Sequence, residues 1–243
     1  MKTGNRFTFF IVLYLVSMAS IFAQNEDNVT TKKNSFIDPR ARIGVNFQYS
    51  SNFKNLAISY PGFTGQLGGF TGKGGALFIG YKFHKYLVGD LETGFILNSF
   101  NAGYDANVFV QGRFNKFYIQ PNIKFVYPLI KAGFGTINPF IGGGIGLTGS
   151  GRLYIEEQYY GNRDITYARY EPLIAPIITF GAEVHFDDLS NIIIGVNYQN
   201  GAFDAKEYSV SYLPSTTLKN APPEIKTLSA QGLALRIGIM HEF

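Results

Sequence analysis

Few residues in this chain can do chemistry, and their spacing narrows what that chemistry is. The 243 residues include no cysteine and three histidines, His84, His185 and His241. Without cysteine there is no disulfide framework, no thiol nucleophile and no thiolate-bound metal. Each histidine falls beside a predicted short turn or the end of the last strand, so all three gather at one rim of the fold. A hydrolytic triad needs histidine, a hydroxyl and a carboxylate within hydrogen-bond reach of one another, and the opposite rim is offered no histidine. Gly142-Gly143-Gly144-Ile145-Gly146 has the glycine density of a phosphate cradle, but strand and loop follow it rather than the helix such a cradle needs. The expectation is a chain that is not an enzyme, with no cofactor and no metal site.

Two other constellations stand out. Arg42, Lys82, Lys124 and Arg236 alternate along strand-like segments with Asp90, Glu92, Glu183 and Glu242, four cations against four anions. Charges confined to a narrow interior must be paired, and Glu92 or Glu183 with Arg236 or Lys124 are the expected partners. Tyr154, Tyr159, Tyr160, Tyr167 and Tyr170 lie among Glu156, Glu157, Arg163, Asp164 and Arg169. Tyrosines with mixed charges suit contacts with protein, glycan or lipopolysaccharide, and equally suit an aromatic girdle at a membrane surface.

The elements that position these residues follow from composition and period. Hydrophobic residues make up 46% of the chain, aromatic 16% and charged only 16%, which excludes a disordered or coiled-coil protein. The formal charge is +4, and two of the cations, Lys2 and Arg6, belong to the leader described next. A near-neutral remainder does not fit nucleic acid, which requires a basic face. A cationic start, the apolar run Phe7 to Ala23 and a small residue before Gln24 form a secretory signal peptide over residues 1–23. Residues 24–40 are polar and aperiodic, a flexible linker.

From residue 41 the chain alternates with period two. Eight segments do so, from Ile43-Val45-Phe47-Tyr49 to Leu233-Leu235-Ile237-Ile239. One face is aliphatic and aromatic; the other carries glycine, amides and isolated charges. Burying the charges in a dry core and exposing eight aliphatic faces to water are both unfavourable. Both difficulties disappear if the apolar face meets lipid and the polar face lines an interior. Each segment supplies the 9–11 residues (about) that a tilted spanning strand needs, and lipid offers no partner to an open edge. The prediction is all-β: an antiparallel up-and-down transmembrane barrel over residues 41–243, eight strands with ten as the alternative. Short links near 84–86, 128–138 and 187–190 alternate with long loops near 51–74, 100–114, 150–172 and 200–230. Pro121 and Pro176 fall within strands, where bulges or a local break are expected.

On these strands, the alternation of links and the final segment LALRIGIMHEF ending in Phe243, the chain resembles the small eight-stranded bacterial outer-membrane barrels of the OmpA-transmembrane, OmpX and OmpW kind. The wording IFAQ and the Asn/Tyr/Lys-rich loops look most like the Bacteroidota outer membrane protein β-barrel or PorT-like version. The resemblance implies a Gram-negative outer membrane with lipid and lipopolysaccharide around the barrel. It also implies an assembly machinery that reads the last strand and Phe243. Three roles stay open: surface interaction or envelope integrity with a plugged lumen, a narrow channel for a small solute, and an accessory of a secretion system.

Overall fold

The computed structural model describes residues 40–243 apart from 55, 61–62, 68–70, 106–107, 128–129, 133–134, 187–189 and 212–217. The expected signal peptide, and the linker up to residue 39, lie outside the described residues. The strands are β1 (Ala41–Asn52), β2 (Leu56–Tyr60), β3 (Phe63–Leu67), β4 (Gly72–His84) and β5 (Leu87–Asp105). They continue with β6 (Val108–Val126), β7 (Ile130–Ala132), β8 (Gly135–Thr148), β9 (Arg152–Tyr159) and β10 (Asn162–Tyr170). The last are β11 (Leu173–His185), β12 (Ser190–Gln199), β13 (Ala202–Val210), β14 (Thr227–Ser229) and β15 (Gly232–Glu242).

Eight of these close on themselves. β1 pairs with β4, then β5, β6, β8, β11, β12 and β15 follow, and β15 returns to β1 from Arg42↔Glu242 to Asn52↔Gly232. Every pairing is antiparallel. The eight predicted segments are the eight staves of this closed barrel.

The side-chain period sets its two faces. Phe47 is 71% exposed and Ile239 63% exposed, whereas inward Arg42 and Glu92 are 2% and 1% exposed. Large apolar side chains are exposed on all eight staves, a distribution that suits hydrocarbon and not water. Rings concentrate at both ends of the staves. Tyr86 stacks on Phe125 and Tyr127 beside one short turn, and Phe53 stacks on Tyr198 at the other end.

Among the described residues the long links carry strands of their own. β2 and β3 form a separate hairpin, β5 and β6 rise well beyond the other staves, and β9, β10, β13 and β14 extend the sheet from the upper half of β6. Strand β6 shows why. Its inward residues change from Lys124, Asn122 and Gln120 to Phe114 and Val110, while its outward ones change from Phe125, Ile123 and Phe117 to Asn115, Arg113 and Gln111. The sidedness inverts between Asn115 and Phe117, as it must where a strand leaves lipid for water. Above that level the sheet folds over an apolar core of ordinary polarity, with Phe114, Leu153, Tyr170, Phe203 and Leu228 buried in it.

The prolines are accommodated without bulges. The β6–β8 ladder has no pairing at Gln120 and Pro121 but resumes in the same register, and Pro176 stands one residue beyond the β11–β12 ladder. A residue without an N–H is tolerated where a ladder is interrupted or ended.

Candidate functional site

The inward charges meet at one level because glycine clears the way. In register, Glu242 lies beside Arg42, Arg42 beside Gly80, and Gly80 beside Asp90. A Cβ on Gly80 would collide with Asp90 Oδ1 and Arg42 Cγ. The empty position lets Arg42 reach over β4: its Nε donates to Asp90 Oδ1 at 2.9 Å and its Nη2 to Asp90 Oδ2 at 3.0 Å. Nη2 also donates to Glu183 Oε1 at 2.8 Å. Lys124 Nζ meets Asp90 Oδ2 at 2.6 Å and lies 4.9 Å from the centre of the Phe140 ring. On the next level up, Arg236 bonds Glu92 and donates to Asn197 Oδ1 at 3.1 Å. Glu92 further accepts from Tyr118 Oη at 2.8 Å and Asn46 Nδ2 at 3.0 Å.

Of the expected pairs, Glu92 with Arg236 is brought together, while Glu183 is given to Arg42 and Lys124 to Asp90. Glu242 is buried 3.9 Å from Arg42 Nη1. Lys82 is half-exposed near the short-turn end and makes no ion pair among the described residues. Sequence reasoning did not single out Asn46 and Asn197, whose amides complete the Glu92–Arg236 level. Their signal was present, since both sit on the polar face of their strands, Asn46 four residues from Arg42 and Asn197 between Gly195 and Gln199.

The space left by the glycines of β8 is taken up by neighbouring strands. Gly142 faces Lys124, Gly144 faces Asn122 and Gly146 faces Ile177, while Phe140 leans over Gly181 and Phe78 over Gly44. Phe78 and Phe140 join Val88, Val126, Ile193 and Met240 in an apolar cluster beside the charges. Above the charges, a cavity of about 10 Å³ between Gln48, Lys116, Tyr118 and Gln199 has room for one water. The outer apolar core closes over it. The lumen is thus filled at successive levels along its axis.

The tyrosines lie on a hairpin. β9 and β10 turn at Tyr160 and Gly161, and Tyr160 takes the left-handed φ of 44°. Tyr160 is exposed; Tyr154 and Tyr167 are half-buried. Tyr159 ends β9, and its side chain lies outside the described residues. Tyr170 is fully buried, donates to Ile225 O at 2.9 Å and meets Phe114 and Phe203 edge-on, so it offers no surface to a partner.

Beside them, Glu156 accepts from Tyr154 Oη at 2.6 Å, from Arg163 Nε and from Gln111 Nε2. The Tyr154 hydrogen bond, then the one from Arg163, hold its carboxyl down at about 2, below the ordinary 4.5. A depressed folded-state pKa stabilises above the unfolded value and is lost on acidification through the folded one. The hairpin is therefore expected to hold at pH 5 and loosen as pH falls through the interval from 4.5 to about 2. Pepsin nicking of the intact barrel checks this: wild type resists better than Glu156→Gln at pH 4, and the two converge near pH 2.

His84 and His185 end β4 and β11, and His241 stands one residue before the end of β15, all at the short-turn end. Phe243 donates its N–H to Ala41 O at 2.9 Å, and its ring sits edge-on to His241 at 4.7 Å.

No family model and no curated protein matches the chain. Among solved structures, it is similar to Ail, the attachment invasion locus protein of Yersinia pestis, in complex with the heparin analogue sucrose octasulfate. That similarity has 12% identity and a TM-score of 0.45, covering 85% of this chain and 100% of that one. It is also similar to Neisserial surface protein A, with 10% identity and a TM-score of 0.46 over 84% and 97% of the two chains. CarO2 of Acinetobacter baumannii gives 14% identity and a TM-score of 0.43 over 86% and 100%.

Proposed function

We propose that this chain is an integral outer-membrane barrel of a Gram-negative envelope, non-enzymatic and plugged, that works through its raised sheet in surface interaction or envelope integrity. The observation that carries the reading is the filling of the lumen. The Arg42 and Arg236 levels, with the apolar cluster of Phe78, Phe140 and Met240 beside them, are followed along the axis by the outer core around Phe114 and Tyr170. An eight-stranded interior is only wide enough for side chains to fill, and here they fill it. The exposed apolar band supports a lipid surrounding, with lipopolysaccharide against the outer tyrosines and phenylalanines. The outward-facing carboxy-terminal Phe243 suits recognition by the outer-membrane assembly machinery. Tyr154, Tyr160 and Tyr167 on the raised hairpin are the surface we assign to a protein or glycan partner.

Planar-bilayer recording of the purified, folded protein tests the plug. The expected result is a flat baseline over tens of minutes at moderate voltage. Stable, reproducible steps would replace this reading with that of a narrow path for a small solute.

A further inference from the structure

At the short-turn end of the lumen, two carboxylates of the Arg42 level, Glu183 and Glu242, meet a histidine that the plug does not use. Glu183 and His185 alternate on the inward face of β11, and Glu242 ends β15. One ligand atom from each lies within 4.8 Å of the other two. His185 Nε2 and Glu183 Oε2 are 3.7 Å apart. That is too long for a hydrogen bond, but it is close to the roughly 3.3–3.6 Å between two atoms bound tetrahedrally to one ion at about 2.0–2.2 Å from each. His185 Nε2 is buried and has no hydrogen-bond partner among the described residues.

A second, independent observation lies across the ladder. Asn191 pairs directly with His185, so the two side chains share a face. It is only 1% exposed, yet neither Oδ1 nor Nδ2 has a partner among the described residues. Buried amides are ordinarily satisfied, and an orphaned one beside an orphaned imidazole nitrogen and two carboxylates marks a place for a cation. Local charge agrees. Arg42 and Lys124 face Asp90, Glu183 and Glu242, two positive groups against three negative ones.

We propose that Glu183, His185 and Glu242 form a divalent transition-metal site of the zinc class, with the Asn191 amide oxygen as a fourth ligand. Nitrogen and carboxylate donors in this ratio suit zinc and its first-row neighbours. Arg42 holds the other oxygen of Glu183 at 2.8 Å and so orients the carboxylate from behind. The ion would tie β11, β12 and β15 together at the mouth, reached from the short-turn end, where the His185 side chain is 19% exposed. This site is separate from the surface role above, and its failure leaves the conductance test untouched.

The test uses the full barrel, folded in detergent, stripped with EDTA and titrated with Zn²⁺ alone by calorimetry. Co²⁺ in its place gives a spectroscopic readout. The expected result is one equivalent bound at micromolar or tighter dissociation constant, with visible Co²⁺ d–d absorption. His185→Ala and Glu242→Gln should each weaken binding by about tenfold or more, and His241→Ala, whose ring packs on Phe243, should not. Heat-modifiable migration confirms that each variant is folded. No binding by the folded wild type at 100-fold excess Zn²⁺ would overturn the site. Binding unchanged in both His185→Ala and Glu242→Gln would overturn it equally.

Discussion

Replacing Arg42 with methionine is expected to destabilise the folded barrel by about 3–5 kcal/mol, among the largest losses any single substitution here will produce. Among the described residues the guanidinium is the one group that bonds both Asp90 and Glu183, at 2.8–3.0 Å, with its side chain 1% exposed. Methionine fills much of the volume but leaves Glu183 without its strongest partner and Asp90 with Lys124 alone. Removing a charge from a buried set costs more than the set was worth, because the remaining charges stay desolvated. Urea unfolding in lipid vesicles, followed by heat-modifiable migration, measures the loss. A change under about 1 kcal/mol would mean that water enters this level and that the interior is not the packed layer described. A double-mutant cycle with Glu183→Gln is expected to give a coupling of about 0.5–3 kcal/mol. The same cycle between Glu183 and Arg236, which share no hydrogen bond, should give much less.

That contrast marks where the sequence stopped being legible. Which residues face the lumen follows from period two alone, and the eight staves were readable because apolar and polar faces alternate so strictly. Which charges meet does not follow. Arg42 and Glu183 lie on strands separated by β12 and β15 around the ring, so their contact depends on closure and on reach across the axis. Arg42 and Asp90 are separated by a strand too, and only the placement of Gly80 in the same row joins them. The glycines of β8 leave space whose occupants belong to neighbouring strands, and no single segment encodes their register.

The outer sheet was missed for a different physical reason. A barrel in lipid is recognised by apolar residues outside and polar ones inside. Above the Asn115–Phe117 level that rule reverses, and Leu153, Ile155 and Phe203 turn inward as in any water-soluble sheet. Without its apolar outer stripe, each of these stretches reads as loop. Tyr170 carries the same lesson: among charged neighbours it looks like a surface residue, yet it is fully buried in the outer core. Asn191 shows the opposite case, an unremarkable amide in sequence whose importance comes only from facing His185.

The reversal at that level also gives the sharpest test of what surrounds the barrel. Ile237 is the middle residue of the 11-residue strand β15, is 52% exposed, and is flanked across the ladders by Phe47 and Ile194. In water, an arginine at such an exposed position would be almost neutral, within about 0.5 kcal/mol. At the centre of a hydrocarbon layer it costs about 2–4 kcal/mol, and less toward either interface. Ile237→Arg is therefore expected to lower stability in vesicles by that larger amount, Leu233→Arg near the strand's upper end by less, and Tyr160→Arg at the hairpin tip by almost nothing. The gradient matters more than any one value. A soluble barrel would show three small and similar effects, whereas a barrel buried in lipid to the level of Phe117 must show the loss rise toward Ile237, because the cost comes from the depth of the charge and not from any contact it breaks.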